Sequence, residues 1–240
     1  MKRIYLYELK RLLWNKFFIG LLLVTLFYGG QVLQNETLLG VADTAPFSPW
    51  SFGAYLGCML PLLWVGALFF LTFFTGAAQK RVAALTDATP APPRRYDLAR
   101  LAAAATGAAL LSLAAVAAAL FFYARMFAWY GWGALLSPAL LALVPPLALA
   151  LGGGWLLGRA RPWLLWLWAA LPFVLMVLPL PQALSMLNGS FFSAYPASLD
   201  ALDPAFALPG GVLAAQILLL AAGAAAAVLG AGRRDVRLHA

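Results

Sequence analysis

Residues 53–76 read GAYLGCMLPLLWVGALFFLTFFTG, twenty-four positions without one Asp, Glu, Lys, Arg or His. A helix rising about 1.5 Å per residue crosses about 30 Å of hydrocarbon in roughly 20 residues, so this run is long enough to span a bilayer. Five further charge-free apolar runs lie at 17–33, 101–122, 134–157, 163–181 and 209–231. No connecting segment exceeds 27 residues, too few for a domain that folds by itself. The fold expected is an all-α membrane protein with six transmembrane helices in one domain over 17–231. An N-terminal amphipathic interfacial helix at 1–16 precedes it, and a cytoplasmic basic tail at 232–240 follows.

Composition agrees: of 240 residues 64% are hydrophobic and 10% charged, and mean hydropathy is +0.88. A soluble domain carries about 25% charged residues. The net charge of +8 does not point to nucleic acid, because a phosphate-tracking surface needs basic residues spread along an exposed face. Fifteen of the sixteen Lys and Arg fall in 1–16, 77–100, 158–162 and 232–240, and Arg125 alone in the alternate connections. Basic excess in short loops marks the cytoplasmic side, which puts both termini there and makes the chain a multi-pass protein of the plasma membrane. The same excess favours anionic membrane lipids as neighbours. The stretch 27–33, FYGGQVL, has no small-x-small cleavage pattern, so the first span is expected to remain as an anchor.

Several chemistries are disfavoured. The six runs hold no ionisable group to carry an ion, although carbonyls of broken helices remain an alternative for sodium. Hydrolysis by a Ser–His or zinc mechanism lacks its histidine, the single one being His239. None of Lys2, Lys10, Lys16 and Lys80 is followed by Ser or Thr, so the phosphate-cradling Gly-Lys-Ser/Thr loop is missing. The expectation is a protein that is not an enzyme, with no cofactor and no metal, and with Cys58 as a packing residue.

Within 2–16, KRIYLYELKRLLWNK, Tyr5, Leu9, Leu12 and Leu13 share a helical stripe, and Lys2, Arg3, Lys10 and Arg11 form a basic rim. It reads as a membrane anchor, or as an anchor that also meets a cytoplasmic partner. The segment 79–100, QKRVAALTDATPAPPRRYDLAR, can form a short helix over 80–87 that Pro90, Pro92 and Pro93 end, after which Asp97 suits the start of a new helix. Either it is an ordinary Pro-broken loop or its shape transmits a push.

At this segment the chain resembles the permease subunits of type-2 ABC exporters. The resemblance implies that 80–87 is the coupling helix, Thr89-Pro90 its following dipeptide, Arg94 or Arg95 the next basic residue, and Arg100 the one opening span three. Gln79 and Ala83-Ala84 depart from the family's acidic residue and Gly-Thr, and Pro92-Pro93 is an unusual addition. The ATPase-coupling residues implied are Lys80, Arg81, Thr86, Asp87, Thr89, Pro90, Arg94, Arg95, Tyr96, Asp97 and Arg100. The partners implied are a separate cytoplasmic ATP-binding subunit and a second permease, either a copy or a paralogue. A pair of short external helices is implied between spans five and six.

Elsewhere alternatives stay open. Pro145-Pro146 must break or kink span four, as a hinge or as a static bend. Gly53 with Gly57, and Gly154 with Gly158, have the spacing that lets helices approach closely, within the chain or across a dimer. Trp50, Phe52, Trp129, Tyr130, Trp132, Trp163, Trp166 and Trp168 suit headgroup belts. Trp64 and Trp155 are deeper, as core residues or as candidates for lining a substrate path. Asp203-Pro204 reads as a helix cap followed by proline at the first helical position, and Asp200 with Asp203 makes a poor cation site. The function expected is ATP-driven export of amphipathic or lipid-like cargo, a peptide, lipid or drug. A non-transporting scaffold or assembly subunit, or a passive channel or scramblase, are the alternatives.

Overall fold

The computed structural model describes residues 2–75, 93–199 and 201–231, and among these it is helical with no strand. Eight α-helices are described: α1 (Lys2–Leu13), α2 (Lys16–Val32), α3 (Pro49–Thr75), α4 (Pro93–Phe127), α5 (Leu136–Ala160), α6 (Leu164–Val177), α7 (Phe191–Ala197) and α8 (Gly210–Gly230). Five helical stretches are long and apolar enough to cross a membrane, or six if the bent pair formed by α6 and Gln182–Asn188 counts as one.

The helix of residues 53–76 is the axis of the bundle. Buried residues make up 67% of the apolar window of α3, against 22% around α2 and 17% in α8, so α3 is the element the others surround. It begins four residues earlier than the apolar run, at Pro49, whose missing N–H is no loss in a first turn. Ala103, Ala104, Ala108, Ala115 and Ala119 of α4 are fully or almost fully buried, and Tyr55 of α3 donates its hydroxyl to the Ala115 carbonyl at 2.9 Å. The alanine run is thus a small-residue face on which α3 packs.

Two glycines set the α5–α8 contact. A Cβ on Gly152 would lie 1.9 Å from the Gly223 carbonyl oxygen, and one on Gly223 would lie 2.5 Å from the Ala148 backbone. Gly154 and Gly158 instead receive Leu68, Leu71 and Leu165, while Gly53 faces the Phe192 ring and Gly57 the backbone of Gly189. Both spaced glycine pairs are therefore used within the chain.

Of the break or kink expected at Pro145-Pro146 the structure shows no break, and two other elements depart from the sequence expectation. The prolines at 145 and 146 do not interrupt α5, which runs continuously over Leu136–Ala160. Proline removes the donors that the Leu141 and Ala142 carbonyls would accept, yet Ala142, Leu143, Pro145 and Pro146 are all buried, and that packing outweighs the local loss. Helix α6 has 14 residues, about 21 Å, and stops at Val177 ahead of Pro179 and Pro181. A 3-10 turn, Gln182–Asn188, then leaves at 117°. Asp203 caps no helix: its backbone is left-handed at φ 47°, whereas a capping residue is extended, and no helix follows before Gly210. Two short helical elements do join α6 to α8, namely Gln182–Asn188 and α7.

Gly189, at φ 76°, closes the 3-10 turn against Gly57. Asn188 Oδ1 accepts from the Ser190 N–H at 3.1 Å and the Ser190 hydroxyl at 2.7 Å, which fixes the turn into α7. Beneath it Trp50 is wholly buried, ringed by Phe191, Tyr195 and Phe206, and its indole donates to the Pro204 carbonyl at 2.7 Å. Trp50 and Phe52 are hence core residues and not belt residues, whereas Tyr130, Trp132, Trp163 and Trp166 are exposed.

Candidate functional site

Charged side chains are scarce enough that the few buried ones locate the site. Glu8 of α1 is 2% exposed, and Asp97 and Arg100 of α4 are 6% and 7% exposed. They gather at one end of the bundle, where α1 lies across α4 and where α3 stops and α4 begins. The amphipathic stripe of α1 is the reason: Tyr5, Leu9, Leu12 and Leu13 pack on the core, and Glu8 lies among them on the same face. Leu12 fills the space that a side chain at Gly107 would take. Tyr5 shares a 2.8 Å hydrogen bond with Thr106 Oγ1.

A buried carboxylate must be paired, and Glu8 is paired from two helices. Arg100 Nε donates to Glu8 Oε1 at 3.2 Å, and the Tyr96 hydroxyl donates to the same oxygen at 3.3 Å. Arg100 Nη2 donates to the Tyr96 oxygen at 2.8 Å, so the triangle Glu8–Tyr96–Arg100 closes. Tyr96 and Arg100 are one helical turn apart, which lets the guanidinium stack 4.1 Å from the ring centroid. Arg11 Nη1 lies 3.3 Å from Glu8 Oε2, an ion-pair contact without hydrogen-bond alignment. The guanidinium groups of Arg11 and Arg100 both sit over Phe74, at 5.7 and 5.9 Å, and so bring in the last turn of α3.

The second pair joins α4 to α5: Arg159 Nη1 donates to Asp97 Oδ2. Arg159 also lies 5.6 Å above the Trp155 ring. Through Glu8, Phe74, Asp97, Arg100 and Arg159, four helices are fastened at this end. Two of them, α3 and α4, flank residues 76–92. The cluster holds no nucleophile beside a base, and among the described residues no three His, Cys, Asp or Glu side chains come together as metal ligands. Its chemistry is fixed charge pairing, suited to holding helices in one arrangement.

Of the residues implicated from the sequence, Lys80, Arg81, Thr86, Asp87, Thr89 and Pro90 lie outside the described residues, as do the 80–87 helix, Asp200 and the 232–240 tail. Arg94, Arg95, Tyr96, Asp97 and Arg100 lie on the first two turns of α4, which is continuous from Pro93 into the apolar run. Tyr96, Asp97 and Arg100 enter the cluster, whereas Arg94 and Arg95 are exposed. Glu8 and Arg159 are cluster members that the sequence reading passed over. Trp64 and Trp155 are each 1% exposed, inside the packed interior. Trp64 donates to the Trp168 carbonyl at 3.0 Å, and Trp168 donates to that of Ala150 at 3.2 Å, a staple across α3, α6 and α5. Trp155 Nε1 is buried without a hydrogen-bond partner among the described residues. Asp203 is exposed, remote from the cluster in the connection before α8.

Comparison of the chain with protein-family models, with curated proteins and with solved structures finds no match.

Proposed function

We propose that the chain is the membrane-spanning permease subunit of an ATP-driven exporter of the type-2 ABC class. One observation carries the reading most: the charge-paired cluster ties α1, α3, α4 and α5 together at the end where residues 76–92 attach. A force applied to that segment by a separate ATP-binding subunit would reach four helices at once. In this reading 163–181, which contains α6, makes the fifth of six spans, and α1 lies on the cytoplasmic surface of the plasma membrane. Both termini are cytoplasmic, and Gln182–Asn188 with α7 forms the external helical pair. The chain itself hydrolyses no ATP and needs no cofactor. A second permease, identical or related, completes the translocation path, and the cargo is amphipathic or lipid-like because the spans offer no charge to a polar ion.

The packed interior also favours a second reading, a scaffold or assembly subunit that moves nothing. Trp64, Trp155 and Trp168 fill the space between α3, α5 and α6. Co-purification with the ATP-binding partner separates the two. The exporter reading expects an ATPase to stay bound to the detergent-solubilised chain, and Asp87→Lys or Arg94→Glu to abolish its recruitment or its coupling. A chain that works with no ATPase attached would leave the scaffold or a passive channel or scramblase standing.

A further inference from the structure

We infer that α2 and α3 form a seat for one anionic phospholipid, with an acyl chain in the groove between them and its phosphate at Lys16. The groove is a shallow one open to the surface, of about 450 Å³, lined by Lys16, Phe17, Gly20, Leu21, Val24 and Phe69, of which the first three and Val24 are exposed. The five lining positions on α2 recur at helical spacing over nine residues, about 12 Å of helix, with Lys16 at one end and only apolar groups below it. Gly20 lies midway along this face, where a Cβ would meet nothing within 4 Å, so a larger side chain there would project into the groove's open space. The Phe69 ring closes one wall, held 5.5 Å from Phe17 and 5.4 Å from Phe73.

Charge selects the occupant. Lys16 opens α2, and the first turn of that helix contains no acid. A lysine at the positive end of a helix dipole adds like charge to like charge, an arrangement that an anion at the same point relieves. Among the described residues no carboxylate pairs with Lys16: Glu8 is taken by Arg11 and Arg100, and Asp97 by Arg159. A lipid supplies both missing parts together, a chain for the apolar groove and a phosphate for the lysine. The inference uses the insertion of α2 and α3 in a bilayer and does not use the proposed export activity.

The test is native mass spectrometry of the full-length chain, purified in mild detergent and offered equal amounts of phosphatidylglycerol and phosphatidylcholine. The wild type is expected to retain phosphatidylglycerol about fivefold over phosphatidylcholine, the preference that one lysine confers at an anionic surface. Lys16→Gln should bring that ratio toward one while the zwitterionic lipid still binds. Gly20→Leu, which projects into the groove's open space, should remove the adduct for both lipids. Equal retention by the wild type, an unchanged ratio in Lys16→Gln, or an undiminished adduct in Gly20→Leu overturns the inference. So does an efficient disulfide dimer through Gly20→Cys in a Cys58→Ser background, since a second copy would then fill the groove.

Discussion

The Glu8 carboxylate is held out of water by α1 and α4, and Arg100, Tyr96 and Arg11 face it. Removing one member of a buried pair strands the other, at about 3–5 kcal/mol. Glu8→Ala is therefore expected to lower the unfolding midpoint in detergent sharply, whereas Glu8→Leu combined with Arg100→Met should recover most of it, because well-packed apolar groups replace a buried pair at little loss. A double variant no better than the single one would contradict this. Gln216 of α8 presents the opposite case. It is 1% exposed, and neither side-chain amide atom has a hydrogen-bond partner among the described residues. Gln216→Met should stabilise the protein by about 1–3 kcal/mol, since it removes an unsatisfied polar group at nearly constant volume. A loss of stability on that change would show that the amide has a partner in the assembled protein. The role of Glu8 was legible in principle: positions 5, 8, 9 and 12 are one helical stripe, and an acid in an apolar stripe asks for a cation. Arg11, three residues on, was in view, but the buried partner Arg100 was not, because it lies 92 residues away and only the crossing of α1 over α4 brings the two together.

At the scale of elements, glycine positions decide which helices touch. A methyl at Gly152 would collide with the Gly223 carbonyl, a backbone atom that cannot swing away. Gly152→Ala should cost about 1–3 kcal/mol by forcing α5 from α8. Gly30→Ala, where a Cβ meets nothing within 4 Å, should gain about 0.4–1 kcal/mol by restricting the unfolded chain. Thermal unfolding of the two variants side by side checks both signs. Apolar run length revealed most of the long helices, since hydrocarbon thickness fixes it, but not their ends. Helix α4 extends upstream to Pro93 because Asp97 and Arg100 find partners there, which run length does not register. Helix α6 ends early at Pro179, and Asp203 caps nothing because Trp50 holds the Pro204 carbonyl in a non-helical connection.

For the whole molecule, α6 fixes the topology. If the segment 163–181 that contains α6 crosses the bilayer, the spans number six and the termini share a side; if it does not, the spans number five and the termini are opposed. In a Cys58→Ser background, Asn35→Cys and Ser198→Cys are expected to react with an impermeant maleimide on intact cells, and Arg95→Cys only after permeabilisation. Protection of Ser198→Cys on intact cells, or labelling of Arg95→Cys there, would refute the arrangement. The charge pattern is what points to the six-span topology, because fifteen of sixteen basic residues fall in alternate connections. The proposed drive rests on the resemblance over 79–100 alone, since a power source on another chain would leave no motif on this one. The most direct measurement is ATP turnover in liposomes that hold the chain with and without its co-purified ATP-binding partner. The account predicts no hydrolysis by the chain alone, vanadate-sensitive hydrolysis with the partner, and loss of that activity in Arg94→Glu. Transport by the chain alone, indifferent to ATP, would contradict it.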